Sequence, residues 1–380
     1  MLNNFLQRSK ASFVKPGKAS FVIGGQWGSE GKGASAAVIA DQLQKRGEAF
    51  DIYTTNAGAQ AGHTSIHRNQ KRVVFHLPTA PLIAMQCGAA PCPIYLNAGS
   101  IIDPAVLEQE LKDTGLLRLL DGFGGFFIHP NAAVIEQHDR DAEGETHSAQ
   151  TKIASTRKGV GNALSRKVLR SAKLAKDHPY LKQFVWTLDL NADMARGASV
   201  LVEIPQGIGL SLNGPFYPHT TSRDCTVMQA MNDAGIHPAY YGKSMLVLRT
   251  YPIRVGNVKT NVENDMGWKE MSFSSGGCYP DQQETSWEAI GVPAEITTVT
   301  KRIRRVFTFS LEQAEHAMRM TRPDVIHLTF CDYPGVNVSW IASRLIDLAT
   351  KIGLPWPEIL YQYGPSTDDV RDTVRQSSEA

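Results

Sequence analysis

The feature that most constrains this chain is a short apolar run, residues 19–24, that ends in glycine. It opens into Gly24-Gly25-Gln26-Trp27-Gly28-Ser29-Glu30-Gly31-Lys32-Gly33. Beyond it, residues 34–44 are alanine-rich, with Val38 and Leu43 spaced for one helix face. Strand, glycine-rich loop and helix in this order open many nucleotide-binding α/β folds. Glycines let backbone N–H groups approach phosphate oxygens, the helix offers its positive end, and Lys32 adds a full charge. The loop is not a Walker A loop, which needs four residues between its Gly and Gly-Lys, then Ser or Thr. Here five residues separate Gly25 from Gly31, and Gly33 takes the hydroxyl position. As a loose glycine pattern, it is as compatible with a generic turn as with a phosphate cradle.

Similar apolar runs recur at 94–96, 126–128, 199–203, 245–248 and 325–329, with helical patterns at 104–120, 311–320 and 338–351. Strands alternating with helices predict an α/β fold with a central, mostly parallel sheet flanked by helices. No Pro-, Gly- or Ser-rich linker divides the chain. Residues 19–367 therefore read as a single large α/β domain, between an N-terminal tail, 1–18, and a frayed polar end, 368–380. The first 18 residues carry Arg8, Lys10, Lys15 and Lys18, no acid, and no apolar block of the signal-peptide kind. The polar, strongly basic stretch 139–182 reads as a functional excursion from the core.

Composition excludes several classes. A net charge of +2 speaks against a dedicated nucleic-acid binder. No apolar run approaches the roughly 18 residues of a membrane span. Cys87, Cys92, Cys225, Cys278 and Cys331 are odd in number and form no C-x-x-C pair, which fits a cytoplasmic protein better than a disulfide framework or a zinc site.

The string Q-W-G-x-E-G-K-G is far more specific than its glycines. It closely resembles the Q-W-G-D-E-G-K-G loop of adenylosuccinate synthetases. Further blocks resemble that family in the same order: Gln60-Ala61-Gly62-His63-Thr64, Ser155-Thr156-Arg157-Lys158-Gly159-Val160-Gly161, Glu203-Ile204-Pro205-Gln206-Gly207, and the arginine-rich run from Thr298 to Arg305. The resemblance implies a ligase that joins aspartate to C6 of a purine nucleotide. A nucleoside triphosphate first phosphorylates the 6-oxo group, and the aspartate amine then displaces phosphate.

Site roles follow from that resemblance, residue by residue. Ser29, Lys32, His63 and Gln206 are the expected catalytic residues, with His63 as the acid at the 6-oxygen. The nucleotide is expected to contact Ser29, Glu30, Gly31, Lys32, Gln60, Ala61, Gly62, His63, Ser155, Thr156, Gln206, Thr221 and Arg302. Arg170 would reach its 5′-phosphate from the other subunit of a homodimer. Aspartate would be gripped by Thr298, Val299, Thr300, Arg302 and Arg304. The triphosphate is expected at Gly28, Gly31, Lys32, Gly33, Gly62, His63, Thr64, Arg304, Phe330, Asp332, Gly364 and Pro365. Mg2+ would take the Ser29 hydroxyl and the Gly62 carbonyl.

Two positions depart from the family pattern. Ser29 replaces the loop aspartate that takes the N1 proton of inosinate, and a serine is no comparable base. The same serine marks a phage-associated branch that acts on dGMP and makes a precursor of 2-aminoadenine. Serine leaves room beside C2 of the purine, but physics alone does not choose dGMP over inosinate. The proton acceptor is left open, with Glu30 next in the chain. In Thr329-Phe330-Cys331-Asp332, Phe330 replaces the lysine of a guanine-reading T-K-x-D motif. A ring stacks on any purine without reading its edge, which favours ATP or dATP over GTP as donor. An inosinate-using synthetase and a nucleotide phosphotransferase stay open as alternatives.

Overall fold

The computed structural model describes residues 12–120, 125–145, 148–264, 267–297 and 301–374. The run at 19–24 forms the strand Ala19–Gly24, all six residues buried. Such uninterrupted burial is what a strand covered on both faces requires. It lies mid-sheet among nine strands. On one side follow Tyr241–Arg249, Val325–Thr329, Glu358–Gln362 and Val370–Arg371. On the other follow Val200–Gly207, Ile52–Thr55, Ile94–Leu96 and Phe126–Ile128. Every pairing is parallel except the outermost, between Glu358–Gln362 and Val370–Arg371. The α/β architecture expected from the alternating pattern is therefore present.

Period-two alternation divides the strand side chains between two apolar layers. Phe21, Ile23, Val202, Leu246 and Leu248 face one layer with Ala317 of the helix Leu311–Thr321 and Leu345 of Val338–Lys351. Val22, Leu201, Met245 and Val247 face the other, against Ala36 and Ile39 of the helix Lys32–Lys45 and Ile83 of Thr79–Gln86. The helix expected over 104–120 breaks at Gly115, φ 64°, into Pro104–Thr114 and Leu116–Leu119. Ile52–Thr55 and Glu358–Gln362 were not expected as strands. Their polar residues Thr54, Thr55 and Gln362 are buried by neighbours distant in sequence.

Of the residues expected in the two tails, 12–18 and 368–374 are described, and they are anchored to the fold. Phe13 is buried edge-on to Phe50 with ring centroids 6.4 Å apart, and the Gly17 N–H donates to Gly197 at 2.9 Å. At the other end, a turn capped by Ser366 leads into Val370–Arg371, which joins the sheet. One aromatic and one capping box do this anchoring, too little pattern to read from sequence. Residues 1–11 and 375–380 lie outside the described residues. No helix among the described residues is long and apolar enough to cross a membrane.

Candidate active site

The C-terminal ends of parallel strands are where open α/β sheets bind ligands. Here those ends carry the glycine-rich loop after Ala19–Gly24, Gln206 in Val200–Gly207, Arg249 closing Tyr241–Arg249, and Phe330 after Val325–Thr329. A cleft of about 360 Å³ opens there. Of the residues expected from sequence, Gly28, Ser29, Lys32, Gln60, Ala61, Gly62, His63, Ser155, Thr156, Gln206, Thr221 and Arg304 line it. The basic excursion supplies part of its wall through Glu143, Gln150, Ser155 and Gly161.

The phosphate loop is organised by a carboxylate beneath it. Glu30 has no solvent exposure; its Oε1 accepts the N–H groups of Gln26 at 3.0 Å and Gly28 at 2.8 Å. Its Oε2 meets Lys32 Nζ at 2.6 Å. Gly24 and Gly207 make the space, because a Cβ on either would fall 2.4 Å or 2.3 Å from a Glu30 oxygen. Glu30 is thus not among the cleft-lining residues. It faces the loop backbone, and a role as proton acceptor finds no support in this geometry. Gln26 clasps the backbone of Arg249 from both sides, donating at 3.0 Å and accepting at 3.0 Å. Gly33 permits another close approach: a Cβ there would meet the Thr64 carbonyl at 2.7 Å and His63 Cβ at 3.0 Å. This explains why the Walker hydroxyl position carries glycine.

His63 begins the strand His63–His67, and its Nδ1 lies 3.7 Å from Glu203 Oε2. Glu203 is itself held by the N–H groups of Thr79 at 2.9 Å and Ala80 at 2.7 Å, the start of the helix Thr79–Gln86. A fixed carboxylate on this side orients the ring through Nδ1 and leaves Nε2 as the reactive nitrogen. That Nε2 is buried without a partner. Both ends of the Gln60 amide are likewise buried and unpartnered, as are Arg254 Nε and Nη2 and His219 Nδ1. All four residues line the cleft. Buried polar atoms without partners are rare in folded proteins, so their convergence marks a ligand site. Burial, then Arg305, pushes the Arg254 guanidinium down to about 9. Burial, then Arg254 and Arg305, lowers His219.

Ser29 is exposed in a left-handed conformation, φ 58°, and its Oγ accepts a hydrogen bond from Arg304 Nη1. The Ser29 carbonyl accepts from Arg249 Nη1 at 3.2 Å. Glu295 joins the two arginines, with Arg249 Nη2 at 2.5 Å and Arg304 Nε at 3.7 Å, and also accepts from the Tyr333 hydroxyl at 2.8 Å. Burial pushes the Glu295 carboxyl up, but Arg249, Tyr333 and Arg304 outweigh it and hold it below the usual carboxylate range. The Arg249 guanidinium also lies 3.8 Å from the centroid of Phe330, a cation–π contact. A continuous polar chain therefore runs from Ser29 to the ring expected to carry the donor base.

Other expected residues lie beside the cleft or apart from it. Gly31 and Gly33 flank Lys32 at the helix start, and Thr64 follows His63. Arg302 is engaged by the carbonyls of Gly256 at 3.0 Å and of Ala154 and Ser155 at 3.1 Å each. It ties the excursion to the loop after Ile253–Arg254 rather than presenting a free fork to a carboxylate. The Cys331 N–H donates to Gln362 at 2.9 Å, which sets the segment of Phe330 and the exposed Asp332 beside Gly364 and Pro365. Arg170 is exposed outside its own chain's cleft, φ 63°. Thr298, Val299 and Thr300 lie outside the described residues. Sequence reading missed Glu203, Arg249, Arg254, His219 and Glu295. Only the first two left a signal: Glu203 opens the block read for Gln206, and Arg249 ends an apolar strand where a charge is unusual.

Comparison with known proteins gives this site a family. The sequence pattern described as adenylosuccinate synthetase matches residues 21–188 and 178–336. The N6-succino-2-amino-2′-deoxyadenylate synthase of Salmonella phage PMBT28 is 31% identical over 376 residues, 93% of this chain and 97% of its own. The adenylosuccinate synthetase of Thermococcus onnurineus is 31% identical over 314 residues, 82% of this chain and 83% of its own. Among solved structures, the succinoaminodeoxyadenylate synthetase of cyanophage S-2L, bound to dGMP and dATP as an energy donor, superposes with a TM-score of 0.74. It is 31% identical, covering 93% of this chain and 95% of that one. With the strand-end cleft, the Glu30-tied loop and the ordered blocks of matching sequence, these likenesses place the chain in the adenylosuccinate synthetase family.

Proposed function

We propose that this chain joins L-aspartate to C6 of dGMP, with ATP or dATP cleaved to the diphosphate and phosphate, giving N6-succino-2-amino-2′-deoxyadenylate for 2-aminoadenine DNA. The observation that carries the reading is Ser29. It stands exposed at the cleft, bonded to Arg304, where the inosinate-using members carry a carboxylate. The name of the Salmonella phage relative and the ligands of the cyanophage structure support it.

In this mechanism the 6-oxo oxygen attacks the γ-phosphorus as N1 gives up its proton to water, the nucleoside diphosphate leaves, and the aspartate amine then displaces the 6-phosphate and releases a proton of its own. Lys32, at the cleft floor, stabilises the transferring phosphoryl charge. His63 donates from Nε2 towards the bridging oxygen, oriented by Glu203. The unpartnered Gln60 amide and Ser155, Thr156 and Thr221 bind the 5′-phosphate. Arg304 receives the aspartate, with Thr298, Val299 and Thr300 completing that loop and Arg302 holding it against Gly256, Ala154 and Ser155. Phe330, backed by Arg249, stacks on the donor base, which Gly364 and Pro365 close over.

Glu143 is the one carboxylate among the described residues lining the cleft, and its oxygens accept from the N–H groups of Gly159 at 2.7 Å and Gly161 at 2.9 Å. An ion there would rely on phosphate oxygens and water, as Mg2+ does. The Ser29 hydroxyl and the Gly62 carbonyl are the oxygens to hold it, and it would supply further neutralisation of phosphoryl charge. Val168 and Leu169, 67% and 70% exposed beside Arg170, fit a homodimer in which Arg170 reaches the partner's nucleotide. The reaction would take place in the cytoplasm.

The test supplies aspartate and ATP or dATP with either dGMP or inosinate, and follows the product by mass. A succinyl adduct of dGMP is expected. Adduct from inosinate alone overturns the reading, and phosphate transfer without aspartate points to a phosphotransferase.

A further inference from the structure

Asp41, His67 and Cys87 come together beside the C-terminal part of the helix Lys32–Lys45, and none of them lines the active-site cleft. Asp41 lies on that helix, His67 ends the strand His63–His67, and Cys87 caps the helix Thr79–Gln86. One ligand atom from each lies within 4.8 Å of the others. His67 is 2% exposed, and Cys87 is half-buried, which leaves solvent a way in. No function argued above uses these residues. We propose that they form a site for a thiolate-binding divalent cation of the Zn2+ class, with water as the fourth ligand.

The geometry fits such an ion. Bonds of about 2.3 Å to sulfur and about 2.0 Å to nitrogen at a tetrahedral angle put S and N about 3.5 Å apart. Cys87 Sγ and His67 Nε2 are 3.4 Å apart. The histidine is also held as ligating histidines are. Its Nδ1 lies 2.9 Å from Thr367 Oγ1, so a proton on Nδ1 leaves the Nε2 lone pair facing the sulfur. Asp41 pairs with Lys45 at 2.6 Å through one oxygen, and a carboxylate has lone pairs to spare for a second partner. Thiolate, imidazole and carboxylate together select Zn2+ or Co2+ over Mg2+.

The site has a structural consequence. It would join the helix that begins at Lys32, the strand that begins at His63, and, through Thr367, the turn that follows Gly364 and Pro365. An ion there would brace three segments of the candidate active site without touching substrate.

Co2+ reads the site directly, because a thiolate ligand gives a sulfur-to-cobalt charge-transfer absorption. Co2+ is titrated into the reduced, chelator-stripped full chain with excess Mg2+ present to occupy hard-oxygen positions. One equivalent is expected to produce the absorption, and Zn2+ to displace it and raise the melting temperature. The absorption is expected to vanish in Cys87→Ser and persist in Cys92→Ser. In Thr367→Val, which keeps all three ligands, affinity is expected to fall about ten- to a hundred-fold. No absorption in the wild-type protein, or absorption that survives Cys87→Ser or is lost in Cys92→Ser, overturns the site.

Discussion

Glu30 offers the sharpest test of how the phosphate loop is built. In Glu30→Gln the side chain keeps its shape, but one oxygen becomes an NH2 group. One oxygen now accepts two loop N–H groups and the other meets the Lys32 ammonium. Whichever way the amide turns, donors face donors in a site with no solvent exposure. Breaking a buried charge pair from one side costs about 3–5 kcal/mol. With roughly 2.1 cal/mol/K of unfolding entropy per residue, a chain of 380 residues has an unfolding entropy of about 0.8 kcal/mol/K. The expected fall in melting temperature is therefore about 4–6 °C, read by calorimetry on both proteins. Turnover is expected to fall as well, since Lys32 loses the partner that aims it. A melting temperature within about 1 °C of wild type would refute the reasoning, because the pair would then contribute no more than an exposed ion pair. Lost turnover with unchanged melting would return Glu30 to the role of proton acceptor.

Ser29→Asp is expected to move the ratio of kcat/KM for dGMP over inosinate at least about ten-fold towards inosinate, measured with both nucleotides; an unmoved ratio detaches substrate choice from this position. Phe330→Ala removes a stacking platform worth about 1–3 kcal/mol, so KM for the donor should rise roughly 5- to 150-fold with KM for aspartate unchanged. His327 is fully buried beside Ser35 Oγ at 2.8 Å, and burial lowers it from 6.5 to about 3. Its folded pKa is depressed, so the stability it contributes is complete above the unfolded value of 6.5 and is lost as pH falls towards 3. The loss reaches about 2 kcal/mol at pH 5. Urea unfolding at pH 7 and pH 5 should show His327→Gln losing less stability than wild type over that interval; equal losses count against the assignment.

Much of the fold was legible because burial leaves a direct trace in sequence. A strand covered on both faces must be largely apolar, and 19–24 and 325–329 are, with Ser20, His327 and Thr329 as their buried polar residues. A phosphate loop must be glycine-rich, and 24–33 is. The blocks around His63, Ser155, Gln206 and Arg302 were legible for another reason: reacting groups need set residue types in set local order. These local demands identified the family and twelve of the residues lining the cleft.

What sequence could not supply were contacts between segments far apart in the chain. Ile52–Thr55 and Glu358–Gln362 are strands because neighbouring strands bury their polar residues. Glu30 reads as a loop acid beside the chemistry, and only the space left by Gly24 and Gly207 places its carboxylate under the backbone. Arg302 reads as a fork for a carboxylate, yet it is bound to three carbonyls. Arg249 and Glu295 carry no motif, and Glu203 shows in its block but not in its role, because their work depends on which arginine, histidine or ring the fold sets against them. The sequence by itself determined the chemistry on offer, since local spacing sets which groups share a loop. The tertiary structure decided which groups face the cleft and which only hold others in place, since that depends on distances across the sheet.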